Sequence, residues 1–355
     1  MKQNDSLKML DLIARPAFCV KDGAVCAMNQ GAKQLLLELG TPIDALLRTG
    51  KEEYAAFSTG CLHLTLSISG QTAGASVTRM EVGDIFVLEQ DAEQGELQAM
   101  ALAARELRNP LASVMTVTDR LFPMVAGEER LQTQIAQINR GLFQMLRVIS
   151  NMSDAAHYQE DNMCMEVRDV CALLEEQFTG AKDLAAYTGI QLHYHGVPGP
   201  VFTQVDSQKL ERAVYNILSN AIKFTPAGGT IQANLARHGE KLYLTVQDSG
   251  SGMDGDLRGS AFTRYLRAPG IEDGRFGIGL GMVLVRGTAA IHGGAVLLEQ
   301  PENGGFRITM TIAIRQGAVL RSPVMMVDYA GERDHRLVEL ADALPAEVFR
   351  KERIN

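Results

Sequence analysis

Tryptophan is absent from the chain and cysteine is scarce: Cys19, Cys26, Cys61, Cys164 and Cys171 are odd in number and form no CxxC. That pattern points to neither a disulfide framework nor a zinc site, and it leaves the thiols as small hydrophobes. Basic residues never run five together, and the formal charge is -8. Neutralising a phosphate backbone needs clustered cations, so nucleic acid is not an expected partner. Nor is there a stretch of about 18 uncharged apolar residues, or a basic segment leading into an apolar core near residue 1. Neither a membrane span nor a signal peptide is expected, and the location read from this is cytoplasmic. No GxxxxGK[ST] occurs, which removes the P-loop nucleotide binders.

What is present is ample apolar material, 46% of 355 residues, enough for two or three domains. The local pattern divides the chain into residues 1–92, 93–160, 161–315 and 316–355. In the first part, short strand-like runs at 17–21, 62–68 and 85–88 are each bounded by a Gly-containing turn, and a helical patch covers 32–39. This α+β order, with Asn29 after the second strand, resembles a PAS sensory domain. A module that only dimerises or spaces remains the alternative, and nothing here identifies a ligand.

From Leu97 the periodicity changes. Leu97, Met100, Ala104, Leu107, Leu111, Val114, Thr118 and Leu121 are spaced alternately three and four apart until Pro123 and Gly127. Leu131, Ile135, Ile138, Leu142, Met145, Ile149 and Met152 repeat the spacing. Two such helices form an antiparallel hairpin whose seams call for a partner. The expectation is a dimeric four-helix bundle; packing on a neighbouring domain of the same chain is the alternative.

Residues 161–315 return to mixed α/β, with helices over 167–187, 207–224 and 281–292 and strands over 229–236, 241–247, 295–300 and 306–314. The grouping suggests a two-layer sandwich. Asn216, Asn220 and Lys223 share one helical face, a combination suited to phosphate and magnesium: amide oxygens are hard neutral ligands, and an ammonium offsets phosphate charge. Asp248 ends a strand ahead of Gly250 and Gly252, and Gly277, Gly279, Leu280 and Gly281 run into a helix. The carboxylate can accept from an exocyclic amine such as that of adenine. The glycine run lets backbone N–H groups meet phosphate oxygens. The last segment, 316–355, holds an apolar run at 324–327 and an amphipathic stretch at 336–349, for which packing on the preceding domain is the default.

In order, NILSNAIKFTP, DSGSG and GIGLGM…HGG resemble the N, G1 and G2 boxes of the histidine-kinase catalytic domain, a branch of the ATPase superfamily that includes gyrase. Residues 261–267 (AFTRYLR) are similar to its F box. The resemblance covers about 94–315. It implies ATP and Mg²⁺ as cofactors, with the metal on Asn220 and Asn216 close by, phosphate on Lys223 and adenine on Asp248. Gly250, Gly252, Gly277, Gly279, Leu280 and Gly281 would line the nucleotide, and a mobile lid would lie between about 253 and 275. It also implies a homodimer and a response-regulator receiver domain as partner.

The segment ARELRNPLAS (104–113) looks like the family's H box, but Arg105 stands where the phosphoacceptor histidine belongs. A guanidinium stays protonated and offers no ring nitrogen for phosphoryl transfer. Conventional autophosphorylation is therefore not expected. Glu106 and Asn109 survive, and the family's pattern assigns such residues to dephosphorylation of a receiver, with the amide orienting a water. Three readings stay open: a phosphatase, a kinase of a partner's histidine, and an ATP-switched binding module.

Overall fold

The computed structural model describes residues 10–89, 94–157, 163–252, 280–315 and 333–350. The first unit contains β1 (Ala17–Lys21), β2 (Ala24–Met28), short helices α1 (Gln30–Gln34), α2 (Ile43–Leu46) and α3 (Lys51–Ala56), then β3 (Cys61–Ile68), β4 (Gln71–Met80) and β5 (Gly83–Leu88). The strands order as β2-β1-β5-β4-β3, all antiparallel. Phe18 and Phe86 stack at 4.8 Å in its core. Asn29 fixes the entry to α1: its Oδ1 accepts from Ala32 N and Ala17 N, and its Nδ2 donates to the carbonyl of Arg15 at 2.7 Å. Because Asn29 caps the helix and Leu36 takes a positive φ of 58°, the helix begins earlier and ends sooner than the expected 32–39 patch.

Two long helices follow, α4 (Gln94–Met124) and α5 (Glu129–His157), joined by a turn with Gly127 at φ 91°. They pack as the expected hairpin. Seam positions alternate in fate: Ala104, Leu111, Thr118, Ile135, Leu142 and Ile149 are buried, while Leu107, Val114, Leu121, Leu131, Ile138 and Met145 stay 38–50% exposed.

The third unit comprises β6 (Glu166–Asp169), α6 (Val170–Ala185), β7 (Gln191–His195), β8 (Phe202–Val205), α7 (Ser207–Phe224), β9 (Thr230–His238), β10 (Lys241–Asp248), α8 (Gly281–Ile291), β11 (Val296–Glu299) and β12 (Arg307–Ala313). β10 alternates half-buried and buried residues along its length, and α6, α7 and α8 cover one sheet face, giving the two-layer α/β arrangement. The last described helix is α9 (His335–Leu340), followed by a 3₁₀ turn at Ala346–Phe349.

Read as separate domains, the first and third units would carry separate sheets. Instead β3 pairs antiparallel with β11, matching Cys61 to Leu298, Leu62 to Leu297 and His63 to Val296. The result is one ten-stranded sheet, β2-β1-β5-β4-β3-β11-β12-β10-β9-β7. Two edges that would face water are thereby closed against each other. Charged side chains support the joint: Glu53 accepts from Lys241 Nζ and Thr311 Oγ1, each at 2.6 Å, and Glu89 pairs with Arg286 beside His63. Burial pushes the Arg286 guanidinium down to about 10.

The hairpin likewise packs on its own chain. Its buried apolar seam residues share one core with α6, α7, α8 and the C-terminal segment, in which Leu337, Val338, Leu340, Ala341, Leu344, Val348 and Phe349 are at most 1% exposed. Among the described residues, no helix is long and apolar enough to cross a membrane.

Candidate functional site

Asp206 caps α7, accepting from Lys209 N at 3.0 Å, and Thr225 ends the helix ahead of Pro226. His292 ties the end of α8 to that cap. Its Nε2 accepts from Asp206 N at 3.0 Å and its Nδ1 lies 2.7 Å from the carbonyl of Thr288, which requires the Nδ1–H tautomer. Burial lowers its pKa, so the ring is a neutral structural link. Leu210, Val214, Ile217, Leu218 and Ala221 face the core, which turns Arg212, Asn216, Ser219, Asn220 and Lys223 to the other side of the helix.

The three sequence motifs converge on this helix. At Gly281, the first residue of α8, a Cβ would come 2.5 Å from Asn216 Oδ1, so a larger residue there would displace the Asn216 amide. A Cβ on Gly250 would meet the carbonyl of Phe224, the last residue of α7, at 2.2 Å. Asp248 is 6% exposed at the end of β10, and its Oδ1 accepts from Gly250 N at 2.8 Å and Phe306 N at 3.3 Å. Burial raises its pKa and those N–H groups oppose the rise. Leu280, 2% exposed, is the N-cap residue of α8. Gly252 has φ 78°. Gly277, Gly279, the F-box-like run and the lid segment lie outside the described residues.

The polar face has partners that sequence reasoning missed. Arg147 of α5, its side chain 5% exposed, donates to Asn216 Oδ1 at 2.9 Å, Ser219 Oγ at 3.0 Å and Asp342 Oδ2 at 2.6 Å. Asn216 in turn donates to the carbonyl of Arg212. Lys223 Nζ donates to Asp342 Oδ2 at 3.1 Å, and Arg212 Nε to Glu339 Oε1 at 2.9 Å, while Asp154 and Asn151 hold the far end of the Arg212 guanidinium. Burial and the neighbouring Arg147 push Lys223 down to about 8. Burial opposes ionisation of Asp342, but Arg147 and Lys223 outweigh it and hold the carboxyl below its ordinary value. Asn220 is half-buried one turn from Asn216. The missed signal was in the tail: Glu339 and Asp342, three apart, are acids set within an apolar run.

Away from this cluster, Arg105, Glu106 and Asn109 lie exposed on α4, and Ser113 Oγ donates to the carbonyl of Asn109 at 3.1 Å.

Residues 205–316 match the family model described as histidine kinase-, DNA gyrase B-, and HSP90-like ATPase. The chain is similar to hybrid signal transduction histidine kinase D of Dictyostelium discoideum, 23% identical over 66% of this chain and 16% of that protein. It is also similar to sensor histidine kinase TmoS of Ectopseudomonas mendocina, 27% over 63% of this chain and 24% of that protein, and to histidine protein kinase DivJ of Caulobacter vibrioides, 26% over 62% and 38%. The matches thus span well under half the length of these relatives. Among solved structures, full-length ShkA in complex with AMPPNP matches with a TM-score of 0.50 at 22% identity, covering 69% of this chain and 54% of that one. Over residues 205–316 the chain carries a domain of this ATPase class, and over about two thirds of its length it is histidine-kinase-like.

Proposed function

We propose that the chain is a histidine-kinase-like signalling protein that binds ATP with Mg²⁺ in its ATPase domain and does not phosphorylate its own hairpin, because Arg105 takes the acceptor position. The observation that carries the nucleotide reading is the convergence of Asp248, Gly250 and Gly281 on the ends and polar face of α7. Asp248 would read the adenine amine, Asn220 would ligate the metal and Lys223 would meet phosphate. The metal would neutralise phosphate charge; the protein's share is orientation and exclusion of water. In the conformation described here Asn216 and Lys223 already have protein partners, so the donor set fits the nucleotide only after Lys223 changes partner.

Calorimetric titration with Mg-ATP tests the assignment: Asp248→Asn weakens discrimination of ATP from GTP, and Asn220→Asp alters the Mg²⁺ dependence. Unchanged isotherms for both variants would remove the nucleotide site. The PAS-like reading of residues 10–89 is supported by the strand order and by Asn29 at the start of α1. The homodimer is supported by the exposed alternate seam positions. A second reading, dephosphorylation of a receiver domain, is supported by Glu106 and Asn109 standing exposed three residues apart on α4, open to a partner. Asn109→Ala then abolishes the dephosphorylation while leaving ATP titrations unchanged.

A further inference from the structure

The C-terminal segment lies across the polar face of α7 with its acids aimed at the cations there. We infer that Asp342 is an internal competitor for the phosphate-binding cation Lys223, so that occupancy by Mg-nucleotide and the Lys223–Asp342 contact exclude each other. The inference rests on the nucleotide reading above and names the regulation of that site.

Three observations carry it. First, the lysine already has an anion: Asp342 Oδ2 accepts from Lys223 Nζ at 3.1 Å and from Arg147 Nη1 at 2.6 Å, the latter a charge-assisted bond of ordinary strong geometry. A phosphate oxygen at Lys223 would meet the carboxylate at close range, and two anions sharing one ammonium repel. Second, Asp342 does not need Lys223. Arg147 holds it from the hairpin side, and Glu339 bridges Arg147 and Arg212, so the carboxylate keeps a cation when the lysine leaves. Third, the contact can part locally. A cavity of about 360 Å³ opens beside it, lined by Arg140, Tyr187, Ile190, Lys223, Asp342 and Pro345, which gives the lysine room to turn. Full undocking of the segment would expose Leu337, Val338, Leu340, Leu344, Val348 and Phe349 together. Exchange of partners at Lys223 exposes none of them.

The device also couples the nucleotide to the hairpin. Arg147 lies on α5 and binds both Asn216 and Asp342, so freeing Asp342 from Lys223 changes the charge balance at a guanidinium that joins the hairpin to α7.

The test is calorimetric titration of the full chain with Mg-ATP alongside hydrogen exchange of its C-terminal peptides. Asp342→Asn binds roughly tenfold more tightly than the unsubstituted chain, within the usual range for coupled sites. Glu347→Gln, which removes an exposed acid of the same segment, leaves the affinity unchanged and so controls for net charge. In the unsubstituted chain, saturating Mg-ATP leaves residues 337–349 protected, as a change of partner confined to the Lys223 side chain requires. Equal affinities for Asp342→Asn and the unsubstituted chain, or loss of protection across 337–349 on binding, overturn the exchange of partners at Lys223 while the nucleotide site stands. Absence of binding heat in both overturns the nucleotide site and the competition with it.

Discussion

Replacing Ile138 by alanine tests the second face of the hairpin. Ile138 is 50% exposed, one heptad from Leu131 and Met145, which are 38% and 49% exposed; Leu107, Val114 and Leu121 repeat the pattern on α4. A stripe of six half-covered apolar side chains on two long helices is the surface a second copy would bury. Full burial of an aliphatic side chain contributes about 1.5–3 kcal/mol, so covering the exposed half of Ile138 contributes about 1 kcal/mol per copy and about 2 kcal/mol per two-fold dimer. Ile138→Ala removes most of this, which at 1.4 kcal/mol per decade weakens the dimer about 30-fold. Alanine is the better helix former, so the hairpin itself is not harmed. Equilibrium sedimentation across a concentration series reads the constant directly. A folded chain that is monomeric at about 100 μM, or a dissociation constant moved less than threefold by Ile138→Ala, would refute the reasoning.

The remaining predictions concern phosphorylation, pH and the sheet joint. With labelled ATP the chain yields no acid-labile, base-stable phosphate, whereas Arg105→His gains it; the phosphoamino acid identifies the outcome. Lys223, lowered in the fold to about 8 from an ordinary 10.5, binds fewer protons folded than unfolded between those values, so stability rises with pH across that window. Lys223→Met lacks that rise, which urea midpoints at pH 8 and pH 10 reveal. Glu53→Ala strips the buried carboxylate from Lys241 and Thr311 and costs about 2 kcal/mol, measured by denaturant unfolding.

The part of the architecture readable beforehand is the part whose signals are local. Helix α7 carried an acidic cap, an apolar stripe and a proline stop, and both of its ends fall where the sequence places them. β10 announced itself by alternation. β4 did not: QTAGASVTRM has few large apolar residues, because its middle is covered by neighbours while both ends face water. The joint between β3 and β11 was written more faintly. Residues 61–66 are buried without interruption, which marks a strand covered on both faces, yet no pattern within it names the strand alongside. The hairpin seam was legible as apolar spacing, but which half of it the chain covers for itself depends on the tail, an amphipathic stretch expected to pack on the preceding domain and found packed on the hairpin as well.

Polarity on α7 was legible for the same reason that its partner was not. Two amides, a lysine and an arginine on one face attract anions, and elementary electrostatics does not distinguish a phosphate from a carboxylate supplied by the same chain. Asp342 and Glu339 arrive about 120 residues later in sequence, from a helix whose own apolar residues secure it in place. Once there, the acids cannot be removed singly without cost. Arg147 and Arg212, with side chains 5% and 4% exposed, would keep buried charge with fewer partners, the case in which breaking an ion pair is far more destabilising than never having built it. A cluster held only for stability would be served as well by apolar side chains of equal volume. Its position on the face that the nucleotide motifs converge upon is the physical reason to regard the tail and the nucleotide as alternative occupants of Lys223.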